Sequence, residues 1–285
     1  MTLCGTIKII KVQRNSLNTS KNNLFKQGGG LKANHFSTIG IPLESKETFF
    51  DYAEMAINKG KKIKTASGTY SKFNMGQGVE LWGQLNHDNE IIGINPHFTG
   101  TSKSKIRLIH KIEDPNNNEL DGKIYAESEP GVDGEFTYPF VFDMPDMAAH
   151  KLSYPVIREV QLAAFAHELS IWKDEEEYEN SQSDGPKFAS ESFIPSGLFS
   201  PDGDTTNPPQ AMAIFTGHVL HTSKIENKYT GAFFYYSKVK TLGAEIDVVA
   251  DPELVDKDIC VGGIVSGSFW LSGKLIKKRF KLFGR

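Results

Sequence analysis

The hydrophobic period of this chain changes twice between Asn34 and Phe98, and no other feature restricts its possible folds as strongly. "HFSTIGIPL" (35–43) reads as a strand through Phe36, Thr38, Ile39 and Ile41, ended by Pro42. Ser45 then stands at an N-cap position with Thr48 in the N3 slot. Phe49, Tyr52, Ala53 and Ala56 follow at the i, i+3, i+4, i+7 spacing of an amphipathic helix, which Gly60 closes. Three strand-like runs come next, "KIKTASGTYSKF", "GVELWGQL" and "EIIGINPHF", with "NHDN" as the turn between the last two. The succession is β-α-β-β-β.

Residues 105–172 keep the strand character without a clear helix. "EVQLAAFAHELSIW" admits a 3.6 period through Val160, Ala163, Ala164 and His167. The preceding Pro155, and the echo of "VELW" (79–82) in "HELSIW", favour a strand. "KDEEEYENSQSDGP" is a solvated charge run and linker, and "PSGLFSPDGDTTNPPQ" is the strongest domain boundary. From 209 to 275 the texture is all β, with four alternating β-branched or aromatic runs. A small closed barrel of the oligonucleotide/oligosaccharide-binding (OB) type is expected there, with Gly217, Gly243, Gly263 and Gly267 at bulges or corners. The fold class expected is therefore α+β: a β-α-β-β-β module with a degenerate second half (34–180), then a small OB-like barrel (205–275). A basic lead-in (1–33), in which Gly28–Gly30 form a linker, and a basic tail (276–285) flank them.

Charge narrows the partners. The net −3 hides a segregation: residues 1–34 and 274–285 hold twelve of the 32 basic groups and no acid. The body is left with 20 basic against 35 acidic groups. Such a body repels phosphate polymers, which disfavours nucleic acid. The aromatic-lysine runs "FFYYSK" and "SFWLSGK" do not reverse this, because strand neighbours alternate faces and half of each run must be core. Cys4 and Cys260 lie far apart, outside any metal or redox spacing. No apolar run approaches the ~18 residues of a membrane span, and "CGTIKIIKVQ" is too short and too broken by lysine for a signal-peptide core. The expectation is a soluble, cytoplasmic protein whose partner is a small molecule or another protein, with homo-oligomerisation open. Nucleophile elbow, phosphate loop, dinucleotide fingerprint and His-Glu-x-x-His are all missing, so hydrolase, kinase and dehydrogenase readings have no support.

The candidate site centres on His35 and Glu80, since imidazole and carboxylate form a normal divalent-metal pair. A strand-opening His35, the aromatic pair Phe49-Phe50 on a helix and Glu80 within "VEL" together resemble the vicinal oxygen chelate superfamily of glyoxalases, extradiol dioxygenases and bleomycin-resistance proteins. The resemblance implies a cupped sheet built from paired modules, with one divalent metal held by His35 and Glu80. The second module's ligand would fall on Glu168, and His97, Trp82 and Tyr70 would line the cup. Pro42 stands where the family commonly has an acid. His167 and Glu168 are adjacent on one strand, so only one of them can face a common cup, and nothing fixes a fourth ligand near His110. Asp143 and Asp146 in "FVFDMPD" read as turn and capping acids rather than an acid–base pair. One His and one Glu leave a divalent ion short of ligands, so a non-catalytic small-molecule or partner-binding module is the favoured reading. The alternatives are a divalent-metal-dependent lyase, isomerase or dioxygenase, and a structural or interaction protein acting through the barrel.

Overall fold

A computed structural model describes residues 34–43, 45–128, 138–182, 187–199 and 207–276. The lead-in with Gly28–Gly30, Cys4 and nearly all of the basic tail lie outside the described residues.

The opening strand expected at 35–43 is not formed. Asn34 Oδ1 accepts from the backbone amides of Phe36 and Ser37 at 2.9 and 3.1 Å, and a single 3-10 turn follows at Ser37–Ile39. Gly40, at φ 70°, ends that turn in the left-handed region that favours glycine. Phe36, Ile39 and Ile41 are buried as their apolarity requires, but a short apolar run does not distinguish a strand from a tight turn. The helix is where the spacing places it: α1, Lys46–Lys59, is capped by Ser45, whose Oγ accepts from Thr48 N at 3.2 Å. Ala53 and Ala56 are its buried stripe, with Phe49 and Tyr52 packed at the margin.

Four strands follow, β1 (Lys61–Thr65), β2 (Gly68–Gly76), β3 (Val79–Leu85) and β4 (Ile91–Phe98), joined as an antiparallel meander in the order β1-β2-β3-β4. A helix followed by this meander is only like the β-α-β-β-β module, and no second copy of it occurs among the described residues. Every residue of β3 is buried. Alternation gives it two different faces. Val79 and Leu81 join the apolar cluster with α1, and at Gly83 a Cβ would stand 2.4 Å from Cδ1 of Ile57 on the helix. The other face presents Glu80, Trp82 and Gln84, and its neighbours in register are Asn74, Lys72 and Tyr70 on β2 and His97, Asn95 and Gly93 on β4.

The remaining strands form one nine-stranded sheet: β5 (Ser104–Ile112), β6 (Lys123–Glu127), β7 (Pro139–Asp143), β8 (Val156–Trp172), β9 (Ser192–Ile194), β10 (Met212–Glu226), β11 (Phe233–Thr241), β12 (Ala244–Ala250) and β13 (Ile264–Leu275), in the order β11-β12-β8-β5-β6-β7-β13-β10-β9. A short helix, α2 (Glu175–Ser181), lies between β8 and β9. The expected OB-like barrel is therefore overturned. The four strands β10–β13 do not close on themselves, because β12 pairs in parallel with β8 and β13 runs antiparallel to β8 from Ile264↔Trp172 to Leu275↔Val160. "EVQLAAFAHELSIW" is a strand as expected, and it is the axis on which β5, β12 and β13 are all hung. One apolar cluster, including Leu162, Ala164, Phe215, Phe269 and Leu271, fills this sheet. A second, including Leu81, Phe98, Ala163, Phe165 and Phe234, joins it to the meander and α1.

Gly267 shows how close β13 and β8 come: a Cβ there would lie 2.1 Å from the carbonyl oxygen of Glu168, next to the register shift at Ser268/Phe269. Backbone cannot yield as a side-chain tip can. Gly267→Ala is expected to lower stability by about 1–3 kcal/mol, read as a fall in the urea midpoint; an unchanged midpoint would show that the two strands are not held this tightly.

Candidate functional site

The polar face of β3 does not meet solvent. It faces the large sheet, and the polar groups there are joined in two connected networks.

The first starts at Asp247 on β12, which is fully buried. Its Oδ1 accepts from Thr101 N at 3.0 Å and Tyr236 OH at 2.9 Å, and its Oδ2 from Ser102 N at 3.0 Å and Gln161 Nε2 at 2.8 Å. Gly100 makes this possible, since a Cβ there would stand 2.2 Å from Cγ of Asp247. A carboxylate only accepts, so the amide of Gln161 must turn its nitrogen to Asp247 and its oxygen the other way. That oxygen lies 3.0 Å from Nε2 of His97. The neutral His97 ring therefore donates from Nε2, and its Nδ1 accepts from the Ser272 hydroxyl at 2.8 Å. His97 is fully buried, and burial lowers its pKa to about 4 against a smaller opposing pull from Glu80.

The second network is centred on Glu80, whose side chain is 4% exposed. Its Oε1 accepts from Lys72 Nζ at 2.6 Å and Thr99 Oγ1 at 2.8 Å, and its Oε2 from Lys274 Nζ at 2.8 Å and Trp82 Nε1 at 2.9 Å. Both ammonium groups also lie over the Trp82 ring, at 5.3 Å for Lys72 and 5.0 Å for Lys274. Burial pushes the Glu80 carboxyl up, but His97, Lys274 and Lys72 together outweigh it and hold the pKa at about 2. Lys274 moves the other way: burial lowers its pKa, Glu80 opposes, and the neighbouring Lys72 adds to the lowering.

Of the residues singled out in the sequence, Glu80, Trp82, Tyr70 and His97 come together on this face. Tyr70 packs edge-on to Trp82 with ring centres 6.0 Å apart, and its hydroxyl donates to Leu120 O at 2.5 Å. His35 is not with them. Its ring stacks on Trp270 at 4.3 Å and its Nε2 is 2.7 Å from Nε2 of His167; burial first, and then His167, lower its pKa to about 3. Glu168 is exposed, as is His110, which stacks on Tyr125. The metal reading is corrected accordingly. Among the described residues no group of three His, Cys, Asp or Glu is placed to hold a metal ion, and both Glu80 oxygens are taken by ammonium, hydroxyl and indole donors, which does not fit a cation. Asp143 does more than turn the chain: its Oδ2 accepts from Trp270 Nε1 at 2.6 Å, and burial raises its pKa to about 6. Asp146 Oδ1 is buried without a hydrogen-bond partner.

The sequence reading missed Lys72, Lys274, Gln161, Asp247 and Ser272. Lys72 had a signal, because it sits two residues from Tyr70 on a strand and so shares its face. Lys274 had a misleading one, because it belongs to a run of basic residues. Two surface concavities of about 550 and 360 Å³ both include Lys224 in their lining, and none of their lining residues belongs to either network. Comparison with protein-family models, with curated proteins and with solved structures gives no match to this chain. The glyoxalase-like assignment thus has neither its opening strand, its second module, its metal ligands nor a family match in its favour. Among the described residues no helix is long and apolar enough to cross a membrane.

The His97 shift has a sign that can be checked. The folded pKa of about 4 lies below the ordinary 6.5, so the unfolded chain binds more protons between those values and stability falls as pH drops through that window. The loss expected from His97 is roughly 3 kcal/mol. His35 adds to it in the same direction, and the depressed Glu80 carboxyl adds a further loss between 4.5 and about 2. Denaturant titrations from pH 7 to pH 4 on His97→Gln are expected to show a shallower decline than the parent chain. Identical slopes would remove His97 from the account.

Proposed function

We propose that the chain binds a small organic acid at the Lys72–Glu80–Lys274 face, as a small-molecule-binding protein. One observation carries the reading: two ammonium groups converge on a single buried carboxylate, both over the same indole. Neutralising Glu80 requires one lysine. The second costs like-charge repulsion against the first, and that cost is offset when an anion arrives to take the surplus charge. The lysine side chains keep 29% and 16% of their surface exposed while Glu80 keeps 4%, so the cations are the reachable part of the group and the carboxylate lies behind them. The surrounding face is rigid, because Thr99, His97 and Gln161 are each hydrogen-bonded to another strand and Trp82 to Glu80 within β3, and a prearranged cation pair binds an anion with little ordering cost.

Isothermal titration with propionate and with succinate at pH 7 tests this. Saturable binding with Kd near or below about 1 mM is expected, weakened by at least about tenfold in Lys72→Gln, with the thermal midpoint of the variant confirming its fold. Absence of saturable binding by both acids, or equal affinity in a folded Lys72→Gln, would sink the reading.

A further inference from the structure

We propose that Lys274 is an amine nucleophile that condenses with the carbonyl carbon of a small oxo acid, while Lys72 receives that acid's carboxylate. The inference rests on the acid-binding reading of this face and adds a reaction and a substrate class to it.

The two lysines are not equivalent. Lys72 is the more exposed and extends from β2 in the meander. Lys274 is carried by β13, opposite Gln161 of β8, and its side chain is the more enclosed. Its Nζ is fixed from two directions, 2.8 Å from Glu80 Oε2 and 5.0 Å from the Trp82 ring centre. A bound acid paired to Lys72 would thus place its remaining atoms beside an amine whose position is already set, which is the condition for an effectively intramolecular attack. An amine attacks only when neutral. Burial and the Lys72 cation lower the Lys274 pKa, against the pull of Glu80, so at neutral pH Lys274 offers more free amine than a surface lysine does. Glu80 stays ionised and holds the cationic imine that results.

The step balances without an added oxidant or reductant. The Lys274 ammonium first gives one proton to water. The nitrogen lone pair forms the C–N bond as the C=O π bond opens, and one N–H proton passes to the oxygen to give a carbinolamine. The C–O bond then breaks as the nitrogen lone pair forms the C=N bond, and the hydroxyl leaves as water with the proton first given to the solvent. The product is an imine of Lys274 that keeps its remaining N–H proton, a cation beside Glu80.

The test uses the full chain, pyruvate as the probe and cyanoborohydride to reduce the imine to a stable secondary amine, read by peptide mass spectrometry. The expected result at pH 7 is one dominant adduct on Lys274, its yield lowered by added propionate, which binds as an acid but has no carbonyl to attack. Lys274→Arg is expected to lose at least about tenfold of the total adduct, and Lys72→Gln, which removes the partner of the acid's carboxylate, to lower the yield on Lys274. Should Lys274→Arg fail to fold, the position of the adduct in the unaltered chain and its protection by propionate still decide the matter. Labelling spread over surface lysines, or no adduct, would overturn the proposal. Propionate binding by titration then separates the outcomes: binding without an adduct removes the imine and leaves the acid site standing, and no binding removes both.

Discussion

A buried carboxylate, Asp247, governs how the two sheets of this protein meet. Moving an ionised carboxyl out of water costs many kcal/mol unless its lone pairs are met by donors. Here the donors come from the β4–β5 turn (Thr101 and Ser102 amides), from β11 (Tyr236) and from β8 (Gln161). Each donor fixes the next group. The acceptor-only chemistry of Asp247 sets the orientation of the Gln161 amide, the amide sets the tautomer of His97, and His97 sets the Ser272 hydroxyl on β13. A meander packed on a large sheet through apolar contact alone could slide. Directional bonds running through β12, β8, β4 and β13 in succession leave one register, which is the best-attested use of a buried polar network.

Glu80 is built differently, and the contrast separates a structural carboxylate from a chemical one. Asp247 is met by two amides of the backbone, a phenol and a side-chain amide, all neutral. Glu80 is met by two cations. Removing either cation would leave the carboxylate buried with one fewer donor, at a cost of a few kcal/mol, yet keeping both puts two ammonium groups within reach of one another over Trp82. A pair designed only for stability would need one lysine and a second neutral donor, and Thr99 and Trp82 already supply neutral donors. The excess charge is the feature that packing alone does not account for.

The legible parts of the fold were those fixed by local periodicity. Ser45, Ala53, Ala56 and Gly60 defined α1, and the alternation in "GVELWGQL" and "EIIGINPHF" defined β3 and β4 and put Glu80 and Trp82 on one face. What failed was pairing between segments far apart in the chain. The residues of β12 and β13 alternate as a barrel's would, and nothing within 205–275 reveals that β8 is their partner. The same distance hid the site. Gln161, Asp247, Ser272 and Lys274 meet residues 72–102 only through that pairing, and Lys274 stands among Lys277, Lys278 and Arg279, where a solvated tail is the natural expectation. His35 failed for another reason: Asn34 and Gly40, whose turn-forming chemistry outweighs the apolar residues between them, fold its segment back on itself.

What His35 does follows from its surroundings. Its ring stacks on Trp270 at 4.3 Å between ring centres, meets His167 edge to edge in nearly the same plane with ring centres 4.9 Å apart, and is edge-on to Phe165. A hydrogen bond between two Nε2 atoms 2.7 Å apart requires one ring to donate and the other to accept, so the pair can hold no second proton on that edge. Protonating both would set two cations against each other in a site from which water is largely displaced, which is why burial and His167 together hold His35 near pKa 3. A metal between the rings would need two free lone pairs aimed at one point roughly 2 Å from each nitrogen; here the two nitrogens are spent on one another. The residue that sequence reading offered as a ligand is an anchor. It fastens the segment after Asn34 to β8 and β13, and through Trp270 to Asp143 at the end of β7, on the strands that also carry Gln161, Ser272 and Lys274 into the polar face of β3.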